Sequence, residues 1–155
     1  MATEITKIPH QVLANKTKTI PATEIKAGQY TQLVLDMKKA MVENMGVGLA
    51  GNQIGKDLSI FVIDAKIALE NKVPEVYFNP EITEYSLDAD HIEEGCLSIP
   101  GFYAEIPRSK KIMFKALDES GKKIKFKARG FLARILQHET DHLNGLTIRN
   151  RILKS

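Results

Sequence analysis

The chain has 155 residues, of which 43% are hydrophobic and 26% are charged, and its formal net charge is +3. No apolar run is long enough to span a membrane, no export signal opens the sequence, and the single cysteine cannot form an internal disulfide bond. We therefore expect one globular domain covering residues 1–155, in the cytoplasm and without a membrane partner.

The first periodic segment is Tyr30–Met45, in which apolar residues recur every three or four positions among lysines and glutamates. This spacing predicts an amphipathic helix that ends at Gly46. Three later segments are rich in β-branched and aromatic residues and therefore predict strands. They are 58–64, 76–86 and 91–99, and Asn79-Pro80 is expected to break the second one.

A hairpin is predicted next, because segments 110–117 and 122–128 flank the turn 118–121. The second arm points three lysines to one side, namely Lys123, Lys125 and Lys127. Residues 105–155 hold 13 basic and 5 acidic residues, whereas residues 1–104 hold 9 and 14. A solvated surface is favoured because no aromatic residues interleave the lysines, so no DNA partner is expected. Weak electrostatic contact with ribosomal RNA is the alternative.

After Gly130 the apolar period changes to that of a helix, which ends at Gly145. The predicted fold class is therefore α+β, with short antiparallel strands packed around a central C-terminal helix and one N-terminal helix. The C-terminal helix carries the segment HETDH, which matches the HExxH pattern of metal-dependent hydrolases.

The HExxH pattern predicts a metal site. His138 and His142 project from one helix face and can bind one ion, while Glu139 is placed to act as a base on a water. An open catalytic site needs a third protein ligand and leaves the fourth position to water. The ten residues after Gly145 contain neither His nor Glu, so Cys96 is the candidate third ligand. The alternatives are two ordinary histidines and a small buried cysteine.

Segment 46–55, GVGLAGNQIG, is rich in small residues but lacks the Lys-Ser/Thr of a phosphate-binding loop and follows a helix rather than a strand. We expect the small residues to let a substrate backbone approach closely. Gln53 then offers an amide donor to the substrate or, alternatively, bonds only the local backbone.

Three segments together resemble the signature motifs of the peptide deformylases, in the same order. They are G-x-G-x-A-x-x-Q at 46–53, E-G-C-x-S at 94–98 and Q-H-E-x-D-H at 137–142. The resemblance implies an enzyme that removes the N-formyl group from the initiator methionine of nascent peptides. It also implies one divalent metal ion, preferentially iron(II), with zinc, nickel or cobalt able to occupy the same site.

The resemblance further implies a role for each site residue. The metal ligands would be Cys96, His138 and His142. Glu139 would act as general acid and base, and the Gln53 side chain and the Leu97 backbone N–H would form the oxyanion hole. The substrate-binding residues would be Val47, Gly48, Gly95 and Ile135. Backbone groups of the first three would hold the peptide as an added strand, and an apolar pocket including Val47 and Ile135 would accept the methionine side chain.

Charged residues beside the motifs are candidates for orienting the metal ligands. They are Glu94, Arg108 and Asp141. We favour Glu94 because it lies two residues before Cys96.

Two positions depart from the family pattern. Gly51 replaces the usual alanine and is expected to loosen its loop, and Tyr103 stands near a position where many members have an arginine that contacts the substrate beyond the methionine. The helical extension that common bacterial members have after the last motif has no counterpart, so its docking role is not carried over. We expect a monomer with at most weak ribosome association.

Two other interpretations remain at this point. A general metallopeptidase shares the HExxH pattern, although a thiolate ligand and a glutamine donor favour the deformylase. A structural metal site in a binding module would instead be closed by a fourth protein ligand, for which His10 or His91 is available.

Overall fold

The computed structural model describes residues 3–152 and has the α+β class that the sequence predicts. The helices are α1 Gln11–Ala14, α2 Ala22–Lys26, α3 Thr31–Glu43, α4 Ala65–Asn71 and α5 Gly130–Leu143. The strands are β1 Gly48–Ala50, β2 Ile60–Ile63, β3 Val76–Tyr85, β4 Ala89–Cys96, β5 Ile99–Ser109, β6 Lys111–Leu117 and β7 Lys123–Arg129. Within residues 3–152, no helix combines the length and apolar composition that a membrane span needs.

Five strands form an antiparallel sheet in the order β1-β2-β3-β6-β7, and the two long helices cover its opposite faces. On β2, Ile60 and Val62 join the core cluster that contains α3, whereas Phe61 and Ile63 join the cluster that contains α5. Side chains of a strand alternate between faces, so a strand covered on both sides is apolar throughout. This is why 58–64 has no polar alternation.

The predicted C-terminal helix is confirmed as α5, and it is central in the fold. It is buried along nearly all its length, from Leu132 to Leu143. Its apolar residues pack against the inward side chains of β6 and β7, including Phe114 and Ala128. The predicted N-terminal helix is confirmed as α3, one turn shorter than its pattern at the C-terminal end.

Strands β4 and β5 pair with each other and form a separate two-stranded sheet. The predicted strand 91–99 ends at Cys96, because a turn at residues 97–98 sends the chain back into β5. Strand β5 was not predicted. It contains Pro100 and Pro107, which sequence patterns count against strands, and an edge position tolerates them because an edge strand leaves some N–H positions unpaired.

The predicted break at Asn79-Pro80 is wrong, since β3 runs through it. Asn79 adopts a positive φ of 51°, and the pairing of β3 with β6 shifts register between Phe78 and Glu81. A bulge therefore absorbs the proline within a continuous strand. The Asn79 side chain also bonds both backbone groups of Ile20 at 2.8 Å, which holds the N-terminal segment against the sheet.

Three short helices were also missed. Helices α1 and α2 have four and five residues, too few to show a helical period. Helix α4 does carry a start signal, because the side chain of Asp64 accepts a hydrogen bond from the Ile67 N–H and caps the helix.

Candidate active site

The two histidines of the HExxH segment meet the cysteine at the end of β4. The Sγ of Cys96 lies 3.2 Å from Nε2 of His142, and the two histidine Nε2 atoms are also 3.2 Å apart. One donor atom from each residue lies within 4.8 Å of the other two. Helix α5 supplies the histidine pair through their four-residue spacing, and the turn after β4 brings the thiol onto the same face.

This cluster fits one divalent transition-metal ion. Ligand atoms about 2.0–2.3 Å from an ion in tetrahedral geometry lie roughly 3.3–3.6 Å apart, close to the separations between these atoms. One thiolate and two imidazoles are also a donor set that suits iron, zinc, nickel or cobalt. Cys96, His138 and His142 are the three potential ligands of the cluster in the described part of the chain, which leaves a position for water.

The other histidines lie in different settings. His10 caps α1, since its Nδ1 accepts a hydrogen bond from the Val12 N–H. His91 lies on the exposed β4–β5 surface, where its Nδ1 is 3.8 Å from a carboxylate oxygen of Glu105. Neither belongs to the cluster among residues 3–152. A structural site closed by four protein ligands therefore lacks its fourth ligand here.

Glu94 holds the imidazole of His138 in place. Its Oε1 lies 2.9 Å from Nδ1 of His138, so the opposite ring nitrogen is directed into the cluster. Burial alone would raise the pKa of Glu94, but hydrogen bonds with His138 and Arg108 hold it down to about 2. Glu94 was the favoured orienting residue because of its closeness to Cys96 in sequence, yet in the structure it contacts a histidine 44 positions away.

Arginines surround that carboxylate and extend the network to α5. Arg108 donates to Glu94 through Nε at 3.0 Å and through a terminal nitrogen at 3.1 Å, and it also bonds Asp141. Arg134 donates to Glu94 and to the backbone carbonyl of Ile106. Arg151 donates twice to Asp141, at 3.0 and 2.8 Å.

The sequence motifs pointed to Arg108 and Asp141, but both of the other arginines were missed. Arg134 lies on α5, four residues before His138, and that spacing was the available signal. Arg151 lies after the helix, and no local pattern connects it with Asp141.

The histidines of the cluster have opposite pKa shifts. Burial disfavours protonated His138, but the Cys96 thiol and the Glu94 carboxylate outweigh it and raise the His138 pKa to about 10. Burial and the positive charge on His138 lower the pKa of His142 well below its ordinary value. Without an ion, the cluster thus keeps a proton on His138, and a metal ion must displace that proton to bind.

Glu139 lies beside the cluster, is buried, and leaves its Oε1 without a hydrogen-bond partner in residues 3–152. Burial raises its pKa to about 7. Gly48 makes room for this carboxylate, because a Cβ atom there would lie 2.7 Å from its Oε2. The glycine was expected to admit a substrate backbone, and in the structure it also admits the side chain of Glu139.

Gln53 has contacts that match both sequence-based interpretations. Its Oε1 accepts a hydrogen bond from the Ala50 N–H at 3.0 Å, which is a local backbone contact. Its Nε2 points the other way, 3.2 Å from Oγ of Ser98 and 3.6 Å from Sγ of Cys96. The backbone bond fixes the amide so that its N–H groups face the cluster.

A cleft of about 630 Å³ opens over these groups, between the edges of β1 and β4. The residues predicted to contact substrate all line it, namely Val47, Gly48, Gln53, Gly95, Leu97 and Ile135. His138 and Glu139 lie on its wall. Exposed apolar side chains surround its mouth, and Met45 and Tyr103 are 92% and 66% exposed.

Both departures from the family pattern have clear surroundings. Gly51 is buried, and a Cβ atom there would lie 2.9 Å from the Leu58 carbonyl oxygen, so the expected loosening of the loop is wrong. Tyr103 pairs with Gly95 across β4 and β5, and its ring covers that glycine. A Cβ atom on Gly95 would lie 2.5 Å from the ring.

The whole chain is similar to known proteins. The sequence model of the family described as polypeptide deformylase matches residues 2–155. A peptide deformylase of Dictyoglomus turgidum is 41% identical over 155 residues, covering 99% of this chain and 95% of the relative. One of Borreliella burgdorferi is 38% identical over 161 residues, covering 97% and 93%.

Solved structures agree with the sequence relatives. The crystal structure of peptide deformylase from Thermotoga maritima superposes with a TM-score of 0.89 at 33% identity, covering 99% of each chain. The class I type b peptide deformylase of Acinetobacter baumannii with bound Met-Ala-Ser has a TM-score of 0.86 at 31% identity, covering 98% of this chain and all of that one. The chain therefore belongs to the peptide deformylase family.

Proposed function

We propose that Cys96, His138, His142 and Glu139 carry out the activity known for this family, the metal-dependent removal of the N-formyl group. The substrate would be the initiator formyl-methionine of nascent peptides, and formate would be the product. The observation that carries the proposal is the buried, unpartnered carboxylate of Glu139 beside a three-ligand cluster at the wall of an open cleft, all within residues 3–152.

Cys96, His138 and His142 would hold one divalent cation, which when bound acidifies a coordinated water and polarises a carbonyl group. Glu139 takes the proton of the water that attacks the formyl carbon. Its pKa of about 7 suits proton transfer at neutral pH in both directions. Glu139 then delivers the proton to the methionine nitrogen as the C–N bond breaks and formate leaves.

Gln53 and Leu97 stabilise the negative charge that develops on the formyl oxygen. The amide of Gln53 and the backbone N–H of Leu97 act as donors for that oxygen. The bond from the Ala50 N–H to Gln53 holds the amide before the charge develops. A donor held in advance needs no reorganisation during the reaction.

The peptide would lie as an added strand in the cleft. Strands β1 and β4 each pair with one described strand, so each keeps an edge on the cleft side for peptide backbone. Val47, Gly48 and Gly95 supply these backbone groups, and Ile135 lines the apolar pocket for the methionine side chain. The Acinetobacter relative holds a Met-Ala-Ser peptide, which supports the same substrate class.

We propose iron(II) as the metal in the cell, with zinc, nickel or cobalt able to replace it. A thiolate ligand and a ferrous ion are both sensitive to oxygen. Aeration should inactivate the iron-loaded enzyme within hours, whereas the nickel- or cobalt-loaded enzyme should keep its activity. Full activity of the iron form after hours in air would contradict the iron assignment.

We also propose that residues 1–155 act as one catalytic domain, as a monomer in the cytoplasm. Weak association with the ribosome would bring the enzyme to its substrate. Analytical ultracentrifugation should give the mass of one chain, and a dimer would contradict the monomer proposal.

Formate release from formyl-Met-Ala-Ser, measured anaerobically with added iron(II), tests the function. Acetyl-Met-Ala-Ser is the matched control, because it differs only in the acyl group that leaves. We expect formate from the first peptide and little acetate from the second. Cleavage of the Met–Ala bond instead of formate release would identify a general metallopeptidase.

A further inference from the structure

The outward face of the β6–β7 hairpin carries six exposed basic side chains, and none of its positions is acidic. We name this surface the basic face. Its members are Lys111, Lys115, Lys123, Lys125, Lys127 and Arg129. The two remaining outward positions, Met113 and Leu117, are half-buried.

The strand register brings like charges together on this face. Lys115 lies directly opposite Lys125, and Lys111 lies directly opposite Arg129. Like charges at directly opposed positions destabilise a sheet. Within residues 3–152, Lys115 is the member of the basic face that has an ion pair, with Glu81 of β3 at 3.4 Å. The register thus concentrates positive charge that the hairpin itself does not neutralise.

A cavity of about 400 Å³ lies at one end of the basic face. Lys111, Lys127 and Arg129 line it, together with Glu84 and the 56% exposed Tyr85. Three cations around one depression are a suitable seat for a phosphate group, which accepts several charge-assisted hydrogen bonds.

The basic face is directed away from the catalytic cleft. The opposite side of the same hairpin, including Ile112, Phe114 and Ala128, packs against α5. Helix α5 bears His138 and Glu139 on the cleft side, and the residues that line the two cavities are different. A partner on the basic face would therefore leave the cleft open for a peptide.

We propose that the basic face binds the phosphate backbone of RNA. Alternate residues of a strand lie about 6.6–6.8 Å apart, so the cations of β7 form a row roughly 20 Å long. Such a row fits a chain of phosphates, and the absence of aromatic residues among its members favours backbone contact without base recognition. The proposal rests on the proposed function, because a nascent-chain substrate emerges from a particle whose surface is rich in RNA phosphate.

Protection of a sheet edge and attraction to a membrane account less well for the charge. Lysines on an edge strand prevent sheets from joining edge to edge, which suits β7 but not Lys111 and Lys115 on the interior strand β6. An anionic membrane would also attract cations. Membrane-surface segments, however, insert large apolar side chains, and no position of the basic face has a fully exposed one.

The test compares two triple variants of the metal-loaded full chain for binding to a fluorescent RNA duplex of about 20 base pairs. One variant combines Lys123→Glu, Lys125→Glu and Lys127→Glu. The matched control combines Lys16→Glu, Lys56→Glu and Lys66→Glu, three exposed lysines outside the basic face. Both variants have the same formal net charge, so a difference between them reports on the face rather than on the total charge.

Three or four phosphate contacts predict that wild-type affinity falls roughly 40- to 150-fold between about 50 and 200 mM salt. The basic-face variant should lose at least about 30-fold in affinity at the lower salt, and its salt dependence should flatten. The control should keep the wild-type salt dependence. Equal losses in both variants, or a wild-type affinity that does not change with salt, would overturn the proposal. Face-dependent binding to vesicles of anionic phospholipid without RNA binding would identify a membrane as the partner and overturn it as well.

Formate release from formyl-Met-Ala-Ser is measured on the same samples. Both variants should match wild type, because neither changes a residue of the cleft. Intact formate release without RNA binding contradicts this inference alone. Face-dependent RNA binding without formate release contradicts the proposed function alone.

Discussion

Two charged regions of the protein follow opposite rules. Around α5, the buried charges of Glu94, Arg108 and Asp141 are held in mutual ion pairs, with Arg134 bonded to the same Glu94. On the basic face, lysines stand directly opposite basic residues in the strand register. Removing charges from water requires close partners, whereas water and salt screen exposed charges that repel each other.

The difference shows where charge is used for positioning and where it is available to a partner. The buried network ends at the imidazole of His138, so its ion pairs fix a group that must bind with defined geometry. The exposed cations fix nothing within the described chain and remain accessible. Glu139 is the exception in the buried region, because its Oε1 has no partner in residues 3–152.

The largest expected effect comes from removing the group at the end of the buried network. His138→Ala should abolish both metal binding and formate release, because one thiolate and one imidazole hold a cation far more weakly than three ligands. Metal analysis after gel filtration, together with formate-release kinetics, measures both quantities. A variant that keeps stoichiometric metal would remove His138 from the ligand set.

Glu139→Gln tests the exception separately. Glutamine has nearly the same shape but cannot take the proton, so turnover should fall roughly 10²- to 10⁴-fold while metal content stays near wild type. The same two assays apply, and the contrast with His138→Ala separates catalysis from metal binding. Wild-type turnover in this variant would exclude Glu139 as the general base.

Arg108→Ala breaks the buried network at its centre. Arg108 pairs with both Glu94 and Asp141, and loss of one partner from a buried ion pair lowers the free energy of unfolding by about 3–5 kcal/mol. The matched control is Lys127→Ala on the basic face, which should change it by less than about 0.5 kcal/mol. Urea unfolding of both variants measures the difference. Equal small changes would mean that burial does not distinguish the two regions.

Gln53→Ala removes one donor without touching a charge. Turnover should fall on the order of 10²- to 10³-fold at unchanged metal content, the usual effect of deleting one oxyanion donor. Formate-release kinetics at saturating peptide detect the loss. A change in KM alone would assign Gln53 to peptide binding rather than to the developing charge.

Lys125→Glu on the basic face should have the smallest effect, and it should be stabilising. The substitution replaces a repulsive pair with Lys115 by an attractive one and should raise the free energy of unfolding by about 0.2–1 kcal/mol. Lys66→Glu, on exposed α4, is the control for net charge. Destabilisation by Lys125→Glu relative to this control would show that the register does not strain the hairpin.

The sequence by itself determined the elements whose patterns lie in consecutive residues. Helix α5 follows from its apolar period, the hairpin from alternation around a turn, and the pairing of His138 with His142 from a four-residue spacing. The same local patterns failed where prolines interrupt them. Strand β5 was missed, and the bulge at Asn79 was predicted as a break.

Only the tertiary structure decided which distant groups meet. Glu94 was singled out by its closeness to Cys96 but orients His138, Gly48 makes room for Glu139, and Arg151 reaches Asp141 from beyond the helix. Gly51 was expected to loosen a loop but packs tightly against Leu58. Local periodicity records only which side of an element faces the core. Contacts between elements depend on how strands and helices are set against one another, and that arrangement is decided by packing over the whole chain.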